Sequence, residues 1–206
     1  MRDGHPEFGP MRLAAVVLAG GRARRLGGRD KPMVAVGGVP MVRSVLAAAA
    51  GAGAAPLVVV GPGRDGLPGD VKVVREDPPG GGPVAAAAAG LEAVGRSADV
   101  VALLAADLPW VTAEAIGLLT DALLEGDRAR DGAVFVDDGG RRQYLCGVWR
   151  TEALAGNIRR FDSVDGVSLR ALTAGLDVAE VRWDAERPPY FDCDTEEDLR
   201  KVVGDR

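Results

Sequence analysis

Short apolar runs alternate with longer alanine- and leucine-rich stretches along most of this chain. The apolar runs are bounded by glycine, proline or charged residues, and their continuous hydrophobicity is typical of strands that are buried on both faces. Several of the longer stretches begin at proline, threonine or serine, and they predict helices. The predicted strands are 13–19, 57–60, 71–74, 99–104, 133–136, 144–149 and 178–183, and the predicted helices are 40–50, 83–94, 112–124, 152–160, 168–174 and 195–203.

This order of elements predicts an α/β fold in which helices cover both faces of a mainly parallel sheet, that is, a three-layer α/β/α sandwich. In such sheets, ligands bind at the carboxyl ends of the strands. A length of 206 residues suits one domain, which we place at residues 13–206. Residues 1–12 combine glycine, proline and charges without periodicity, so we interpret them as a disordered tail or vector-derived residues and not as a signal peptide.

Composition and charge exclude several classes of function. A net charge of −5 and a pI near 5.0 argue against binding to nucleic acid or to a membrane surface, and no apolar run is long enough to span a membrane. The two cysteines, Cys146 and Cys193, lack motif spacing, which favours a reducing, cytoplasmic location. The single histidine, His5, lies in the tail, so the domain has no Ser-His-Asp triad, histidine zinc site or histidine base.

The first predicted strand leads directly into a loop rich in glycine and cationic residues. Glycines let backbone N–H groups turn toward a ligand, and cations hold an anion. The loop is not a Walker loop, because Gly21 and Gly27 enclose five residues and Lys31 precedes Pro32, and it lacks the G-x-G-x-x-G fingerprint. Pro32 and Gly37-Gly38 favour an extended chain, so no helix is expected to begin there. A polyphosphate site is predicted from Gly20, Gly21, Arg22, Arg24, Arg25, Gly27, Gly28, Arg29 and Lys31.

Arg25 and Lys31 are the cations that we expect to act on a triphosphate. Their charge would neutralise the phosphate groups while the α-phosphorus is attacked. Arg22 and Arg24 are expected to be peripheral. The alternative is a solvated cationic surface loop that binds no phosphate, because charged side chains usually lie on protein surfaces. The glycines interleaved with the charges favour the phosphate site.

Two aspartates are candidate metal ligands. Asp107 follows a predicted buried strand, and Mg²⁺ takes one or two carboxylates together with phosphate oxygens. The alternative for Asp107 is a turn or helix-capping role. Asp194 is a candidate second ligand and faces the same side of an extended segment as Asp192. The alternative for Asp194 is that it only complements the amino end of the last helix, where Asp198 is expected to be structural.

Three further segments could contribute to a site. Gly80-Gly81-Gly82-Pro83 precedes a predicted helix whose free N–H groups could bind an anion, unless the segment is only a flexible linker. Asp77, just before it, is a candidate contact for a ribose or base. Residues 143–147 either line the side of a second substrate or form a packed strand. Within them, Cys146 is expected to be an inert buried thiol, because no histidine is available to activate it.

The first loop has the pattern L-A-G-G-x-x-x-R-x-G-x-x-D-K, which resembles the nucleoside-triphosphate pocket of the MobA-like nucleotidyltransferase family. Later motifs fall in the order seen in this family, so the resemblance covers the chain from about Leu13 to Val203. It is closest to the molybdenum cofactor guanylyltransferases of the family. These later motifs are G-P, A-D-L-P, L-C-G-V-W-R, V-S-L-R and Y-F-D-C-D-T, at 82–83, 106–109, 145–150, 167–170 and 190–195.

The resemblance implies a fold like that of the nucleotide-diphospho-sugar transferases and a Mg²⁺-dependent reaction. That reaction is the transfer of GMP from GTP to the phosphate of molybdopterin, with release of pyrophosphate. Transient contact with proteins of molybdenum cofactor biosynthesis, or with acceptor proteins, is a further expectation. By position, Lys31 would contact the phosphates and Asp107 the metal. The nucleotide-binding set expected from the loops and from the resemblance is Leu18, Ala19, Gly20, Gly21, Lys31, Asp77, Gly82 and Asp107.

Two departures from the family leave the base open between GTP and CTP. The guanylyltransferases commonly carry asparagines in a late F-x-N-x-N-T motif, whereas this chain has Asp192 and Asp194, as related cytidylyltransferases do. Gly61-Pro62-Gly63 stands where an asparagine-bearing stretch is expected. Three further functions therefore stay open: a CTP-dependent molybdopterin cytidylyltransferase, a sugar- or alcohol-phosphate nucleotidyltransferase, and a non-catalytic nucleotide-binding adaptor.

Overall fold

The computed structural model describes residues 11–20, 30–125 and 130–204. Its strands are β1 (Leu13–Leu18), β2 (Ala35–Val36), β3 (Val39–Pro40), β4 (Leu57–Val60), β5 (Lys72–Val74), β6 (Val100–Ala105), β7 (Gly132–Val136), β8 (Arg142–Arg150) and β9 (Val178–Val181). Its helices are α1 (Met41–Gly51), α2 (Pro83–Val94), α3 (Ala113–Leu124), α4 (Thr151–Ile158), α5 (Leu169–Leu172) and α6 (Glu196–Gly204), and one 3₁₀ turn covers Lys31–Met33. Within these ranges, no helix has the length and hydrophobicity that a membrane crossing requires.

Seven of the strands form one sheet in the order β5-β4-β1-β6-β8-β7-β9. β1 pairs in parallel with β4 and β6, β4 with β5, and β7 with β9. β8 runs antiparallel to both of its neighbours, β6 and β7. The predicted mainly parallel sheet is therefore confirmed, with one reversed strand that the sequence pattern did not indicate.

The alternating side chains of β1 enter two separate hydrophobic cores. Ala15 and Val17 pack into the core that α1 and α3 cover, whereas Ala14 and Val16 pack into the core that α2, α4 and α5 cover. All four side chains are fully buried, as expected for a strand with helices on both faces. The predicted three-layer α/β/α sandwich is thus confirmed.

The prediction that no helix begins after the glycine loop was wrong for one turn. The Met33 N–H donates to the Asp30 carbonyl at 2.8 Å, and the Val34 N–H donates to the Lys31 carbonyl at 3.1 Å. Pro32 is compatible with this turn because its fixed φ suits a helix start, where an N–H has no helical partner anyway. The turn is short, and the chain then becomes extended as expected.

A small hairpin follows this turn and was missing from the predicted elements. Gly37 and Gly38 connect β2 to β3 with positive φ values of 61° and 87°. Two successive residues with positive φ form the tight two-residue turn that matches the twist of paired strands. The glycine pair could have indicated this hairpin, but its strands are only two residues long and show no alternation.

The other predicted elements differ from the structure mainly at their ends. The predicted strand 144–149 is part of the longer β8, and the predicted strand 178–183 ends earlier, at Val181. The predicted helix 168–174 is reduced to the single turn α5, which Ser168 caps by accepting a hydrogen bond from the Ala171 N–H. These differences leave the layer order unchanged.

Helix α2 packs closely on β1 through Gly90, which gives a stability prediction. A Cβ atom at Gly90 would lie 2.2 Å from Val16 Cγ1. We expect Gly90→Ala to lower the free energy of unfolding by about 1–3 kcal/mol, because the helix must move away from the sheet. A Cβ at Gly117, in α3, meets nothing within 4 Å. Gly117→Ala should therefore raise the free energy of unfolding by about 0.5–1 kcal/mol. Urea titration of both variants and the wild type measures these changes. Equal effects of the two substitutions would contradict this account.

Candidate active site

Lys31 and Asp107 lie together at the carboxyl ends of β1 and β6. These strands are aligned with Leu18 opposite Ala105, and Asp107 follows two residues later. The 3₁₀ turn places Lys31 at the same edge, where its ammonium forms an ion pair with the Asp107 carboxylate. The side chains of Lys31 and Asp107 are 17% and 20% exposed. The structure thus brings two predicted site residues together, largely shielded from water.

Asp194 completes this cluster from the far end of the chain. Its Oδ1 lies 2.7 Å from Lys31 Nζ. The neighbouring Cys193 is fully buried, and its N–H donates to the Asp107 carbonyl at 3.2 Å, which fixes the segment beside the loop after β6. Burial would by itself lower the pKa of Lys31. The hydrogen bonds and charges of Asp107 and Asp194 outweigh burial and raise that pKa above its ordinary value.

Residues other than Asp194 cap the last helix, α6. The N–H and hydroxyl of Thr195 donate to Asp198 Oδ2 at 2.9 and 2.7 Å, and the Asp198 N–H donates to Thr195 Oγ1 at 3.1 Å. This reciprocal arrangement is a capping box with aspartate in the third helical position. Asp194 contacts Lys31 instead, so its carboxylate is available to the cluster.

The cluster carries more negative than positive charge. Asp192 lies beside it, and burial together with the charges of Asp194 and Asp107 raises the pKa of the Asp192 carboxyl. Lys31 thus contacts two carboxylates and has the Asp192 carboxyl nearby, and such an excess of hard oxygen ligands suits a divalent cation. Among the described residues, however, no group of three or more His, Cys, Asp or Glu side chains is arranged to hold a metal by itself. A metal ion here would need a substrate to complete its coordination.

The raised pKa of Asp192 predicts a pH-dependent effect on stability. A carboxyl whose pKa is higher in the folded protein destabilises the fold when it ionises. We therefore expect Asp192→Asn to raise the free energy of unfolding at pH 7–8 by less than about 1 kcal/mol, since this carboxyl is only partly removed from water and water still screens its charge. The gain should disappear as the pH falls below the ordinary aspartate range, where wild-type Asp192 is protonated in both states. Urea unfolding of the wild type and of Asp192→Asn without metal, at pH 7–8 and at a pH below the ordinary aspartate range, measures this difference in stability. A lower stability of Asp192→Asn at pH 7–8 would contradict the assignment.

The remaining predicted nucleotide contacts lie along the same edge of the sheet. Leu18, Ala19 and Gly20 are at the end of β1, where Ala19 is buried and Gly20 is exposed. Gly82 precedes α2 with a φ of 93°, and Asp77 is exposed in the loop between β5 and α2. Gly21 and Arg25 lie outside the described residues. The structure therefore does not place the predicted second phosphate-binding cation.

Residues 143–147 are built into the sheet. Tyr144 and Leu145 are partly buried against the core under α2, and Gln143 Nε2 donates to Asp137 Oδ2 at 3.0 Å. Cys146 is 2% exposed, and burial raises the pKa of its thiol to about 12. The structure thus favours the packed-strand alternative for this segment, and the thiol is protonated at neutral pH and poorly nucleophilic.

An aromatic pair joins the two acidic segments of the cluster. The rings of Trp110 and Phe191 stack with centroids 4.5 Å apart, and the Arg187 guanidinium carbon lies 6.0 Å from the centroid of Trp110. Trp110 follows Asp107 by three residues, and Phe191 directly precedes Asp192. Stacking of this kind adds about 0.5–1.5 kcal/mol to the burial of the rings. The stacked rings therefore hold the two segments close together. No pattern in the sequence indicates this contact.

Arg64 links the end of β1 to the residue before Lys31, and it was not among the predicted site residues. Its guanidinium donates to the Ala19 carbonyl at 2.7 Å and to both carboxylate oxygens of Asp30 at 2.7 and 2.8 Å. The Arg64 side chain is only 6% exposed. It also donates to the Pro62 carbonyl at 3.1 Å. Arg64 thus links the backbone before the glycine loop to the Asp30 side chain after it.

Removal of this link should be costly. We expect Arg64→Met to lower the free energy of unfolding by about 1–3 kcal/mol, because the Ala19 carbonyl and the Asp30 carboxylate lose their donors. Arg12 forms a comparable two-oxygen pair with Asp99, but the side chains of Arg12 and Asp99 are 56% and 46% exposed. Arg12→Met is the matched control and should have a much smaller effect in the same unfolding experiment. Similar losses for both variants would contradict a special role of Arg64.

Comparisons with known proteins identify the family and the fold. The chain matches the family model described as the MobA-like NTP transferase domain over residues 15–181. This range runs from within β1 to the end of β9 and contains Lys31 and Asp107. Asp194 lies beyond the matched residues, so its place in the site rests on its contact with Lys31.

Individual relatives match over most of their length. The chain is 32% identical to the molybdenum cofactor guanylyltransferase of Rhodobacter capsulatus, with 93% of this chain and 95% of that protein covered. It is 34% identical to a probable molybdenum cofactor guanylyltransferase of Mycobacterium tuberculosis, with 82% and 81% covered. The fold is also similar to the crystal structure of molybdopterin-guanine dinucleotide biosynthesis protein A from Archaeoglobus fulgidus, with a TM-score of 0.69, 21% identity, and 93% and 97% of the two chains covered.

Proposed function

Because this chain belongs to the MobA-like NTP transferase family and is a nucleotidyltransferase, we propose that it transfers GMP from GTP to the phosphate of molybdopterin and releases pyrophosphate. The relatives named as molybdenum cofactor guanylyltransferases support these substrates, since this chain covers most of their length. The observation that carries the proposal is the cluster of Lys31, Asp107 and Asp194 at the carboxyl edge of the sheet.

The proposed reaction suits a site without histidine. The acceptor phosphate is already an anion at neutral pH, so no base has to remove a proton from it. The barrier arises from bringing two anions together, and cations lower it by positioning and neutralising them. With its raised pKa, Lys31 stays protonated at neutral pH and donates hydrogen bonds to the phosphates of the nucleotide. We assign the second cationic role to Arg25 on the loop pattern alone.

Asp107 and Asp194 are the residues that would hold a divalent metal ion, which we propose to be Mg²⁺. When bound, the ion would neutralise phosphate charge and make the α-phosphorus more electrophilic. The excess of carboxyl groups over cations around Lys31 supports this assignment. Mg²⁺ in proteins is usually bound by one or two carboxylates and takes its other ligands from phosphate and water, so two carboxylates are sufficient here.

We assign the nucleotide to the edge formed by β1, β4 and β5. The base would lie against Leu18, Ala19, Gly20 and Gly21, and Asp77 would contact the nucleotide. No described side chain caps the amino end of α2 at Gly82, and the first backbone N–H groups of this helix would bind an anion. The product would pass to other proteins of molybdenum cofactor biosynthesis, or to acceptor proteins, through transient contacts.

Pyrophosphate release tests the proposal. The enzyme is supplied with each of the four ribonucleoside triphosphates, with and without molybdopterin, in Mg²⁺ and in a chelator. We expect release only with GTP, molybdopterin and metal together. Release with CTP alone among the nucleotides would reassign the chain as a cytidylyltransferase, and release only with a sugar or alcohol phosphate would change the acceptor. Binding of nucleotide without release under any condition would indicate an adaptor and overturn the proposal.

A further inference from the structure

Glu76 presents an unused carboxylate oxygen at the nucleotide edge of the sheet. Its Oε1 accepts a hydrogen bond from the Gly80 N–H at 3.1 Å. Its Oε2 is buried and has no hydrogen-bond partner among the residues that the structure describes. No described lysine or arginine forms an ion pair with it either. Because buried polar atoms are almost always paired in folded proteins, this oxygen is a candidate contact for a ligand.

The carboxylate lies beside the exposed backbone at the end of β1. A Cβ atom placed on Gly20 would lie 3.5 Å from Glu76 Oε1 and 4.0 Å from Oε2. Glycine has no such atom, so the Glu76 carboxylate lies directly beside the Gly20 backbone. A flat ring placed against Gly20 would therefore have the Glu76 carboxylate near its edge.

The charge of Glu76 determines what kind of group it can bind. A carboxylate repels phosphate, which belongs with Lys31 on the β6 side of β1. At the opposite, β5 side, the two acceptor oxygens need a pair of neighbouring donors. Guanine offers such a pair in its N1–H and N2–H₂ groups, whereas cytosine, adenine and uracil each have acceptors next to their ring-edge donors.

We propose that Glu76 determines the base specificity of this enzyme by accepting hydrogen bonds from N1–H and N2–H₂ of guanine. This inference rests on the proposed function, because it assigns the base to Gly20. It selects GTP over CTP, the choice that the sequence motifs left open. Gly61 begins the Gly61-Pro62-Gly63 segment, which stands where an asparagine-bearing stretch is expected, and it cannot carry a side chain here, because a Cβ would lie 2.8 Å from the Ala19 carbonyl oxygen. Base recognition therefore falls to a neighbouring strand end, where Glu76 follows β5.

A specificity exchange tests this role. Binding of GTP, CTP and xanthosine triphosphate is measured by calorimetry for the wild type, for Glu76→Gln and for Glu92→Gln. Xanthine has a carbonyl oxygen in place of the guanine amino group, so a glutamine amide can accept from N1–H and donate to that oxygen. We expect Glu76→Gln to bind GTP about 10-fold or more weakly and xanthosine triphosphate correspondingly more tightly than the wild type does. Glu92, exposed on α2, is the control and should leave all three affinities unchanged.

The outcomes separate this inference from the function on which it rests. Gain of xanthosine triphosphate binding by Glu76→Gln supports the role of Glu76, and a misfolded variant cannot produce it. Unchanged GTP binding by a folded Glu76→Gln, or a wild type that prefers CTP, overturns the role while the enzyme remains a nucleotidyltransferase. A wild type that binds no nucleotide overturns the proposed function and this inference together.

Discussion

Lys31→Met is expected to slow nucleotidyl transfer by about 100- to 1,000-fold, equivalent to ~2.7–4 kcal/mol of transition-state stabilisation. Methionine keeps most of the length of the side chain but removes its charge. Negative charge on the phosphates would then develop beside carboxylates without the ammonium that now lies between Asp107 and Asp194. The measurement is pyrophosphate release at saturating nucleotide and metal. This condition separates a slower chemical step from weaker binding.

Lys201→Met is the control for this prediction. The Lys201 side chain is 56% exposed on α6 and pairs with Glu197 along the same helix. Its loss should leave the transfer rate unchanged, because exposed pairs of this kind contribute little. Circular dichroism and urea unfolding establish that both variants are folded. Wild-type turnover by a folded Lys31→Met would remove Lys31 from the site.

Asp107→Asn is expected to have the second-largest effect, a loss of about 100-fold or more in transfer rate by analogy with other preorganised charges at reacting phosphates. Asparagine preserves the shape of the side chain and removes its negative charge. Asp107 is 20% exposed and Asp194 is 50% exposed, so the field of Asp107 is less screened by water. The variant should also need a higher metal concentration for half-maximal activity, which a metal titration of the rate measures.

A matched control lies at the other end of the same strand. Asp99 precedes β6 and pairs with Arg12, whereas Asp107 follows β6 and pairs with Lys31. Asp99→Asn also removes an ion pair but lies at the opposite edge of the sheet, so the rate and metal requirement should stay as in the wild type. Equal losses in Asp107→Asn and Asp99→Asn would show that the rate reports on stability alone, and would contradict the metal role of Asp107.

Much of the fold could be predicted from the sequence, because its buried strands are apolar over their whole length. The apolar run Leu13–Leu18 can be recognised as a strand without knowledge of the strands beside it. Because ligands bind at the carboxyl ends of the strands in such sheets, Lys31 and Asp107 are then expected to lie near each other. Nothing in the sequence pattern indicates that β8 runs in the reversed direction. A strand buried on both faces has the same composition in either direction, and its direction depends on the sheet that it joins.

The rest of the site depends on contacts between residues far apart in sequence. Asp194 is 163 residues from Lys31, and the local pattern was equally consistent with a helix cap. Arg64 and Glu76 are charged residues in loops, where charges are common and usually solvated. The contacts of Arg64 with Ala19 and Asp30, and the position of Glu76 beside Gly20, are evident only from the distances in the structure. Sequence patterns could not supply these distances.

The reversed strand β8 has a consequence for how acceptor choice can diversify. Because β8 is antiparallel to β6, with Leu104 opposite Cys146 and Val100 opposite Arg150, the turn between β7 and β8 emerges at the same edge as Asp107. In an all-parallel arrangement, the chain would enter that strand from the opposite edge. Lengthening or exchanging the five-residue connection 137–141 would therefore change the surface at this edge of the sheet while leaving the strands intact. Under the proposed function, exchange of this turn is a way to alter the acceptor without rebuilding the sheet.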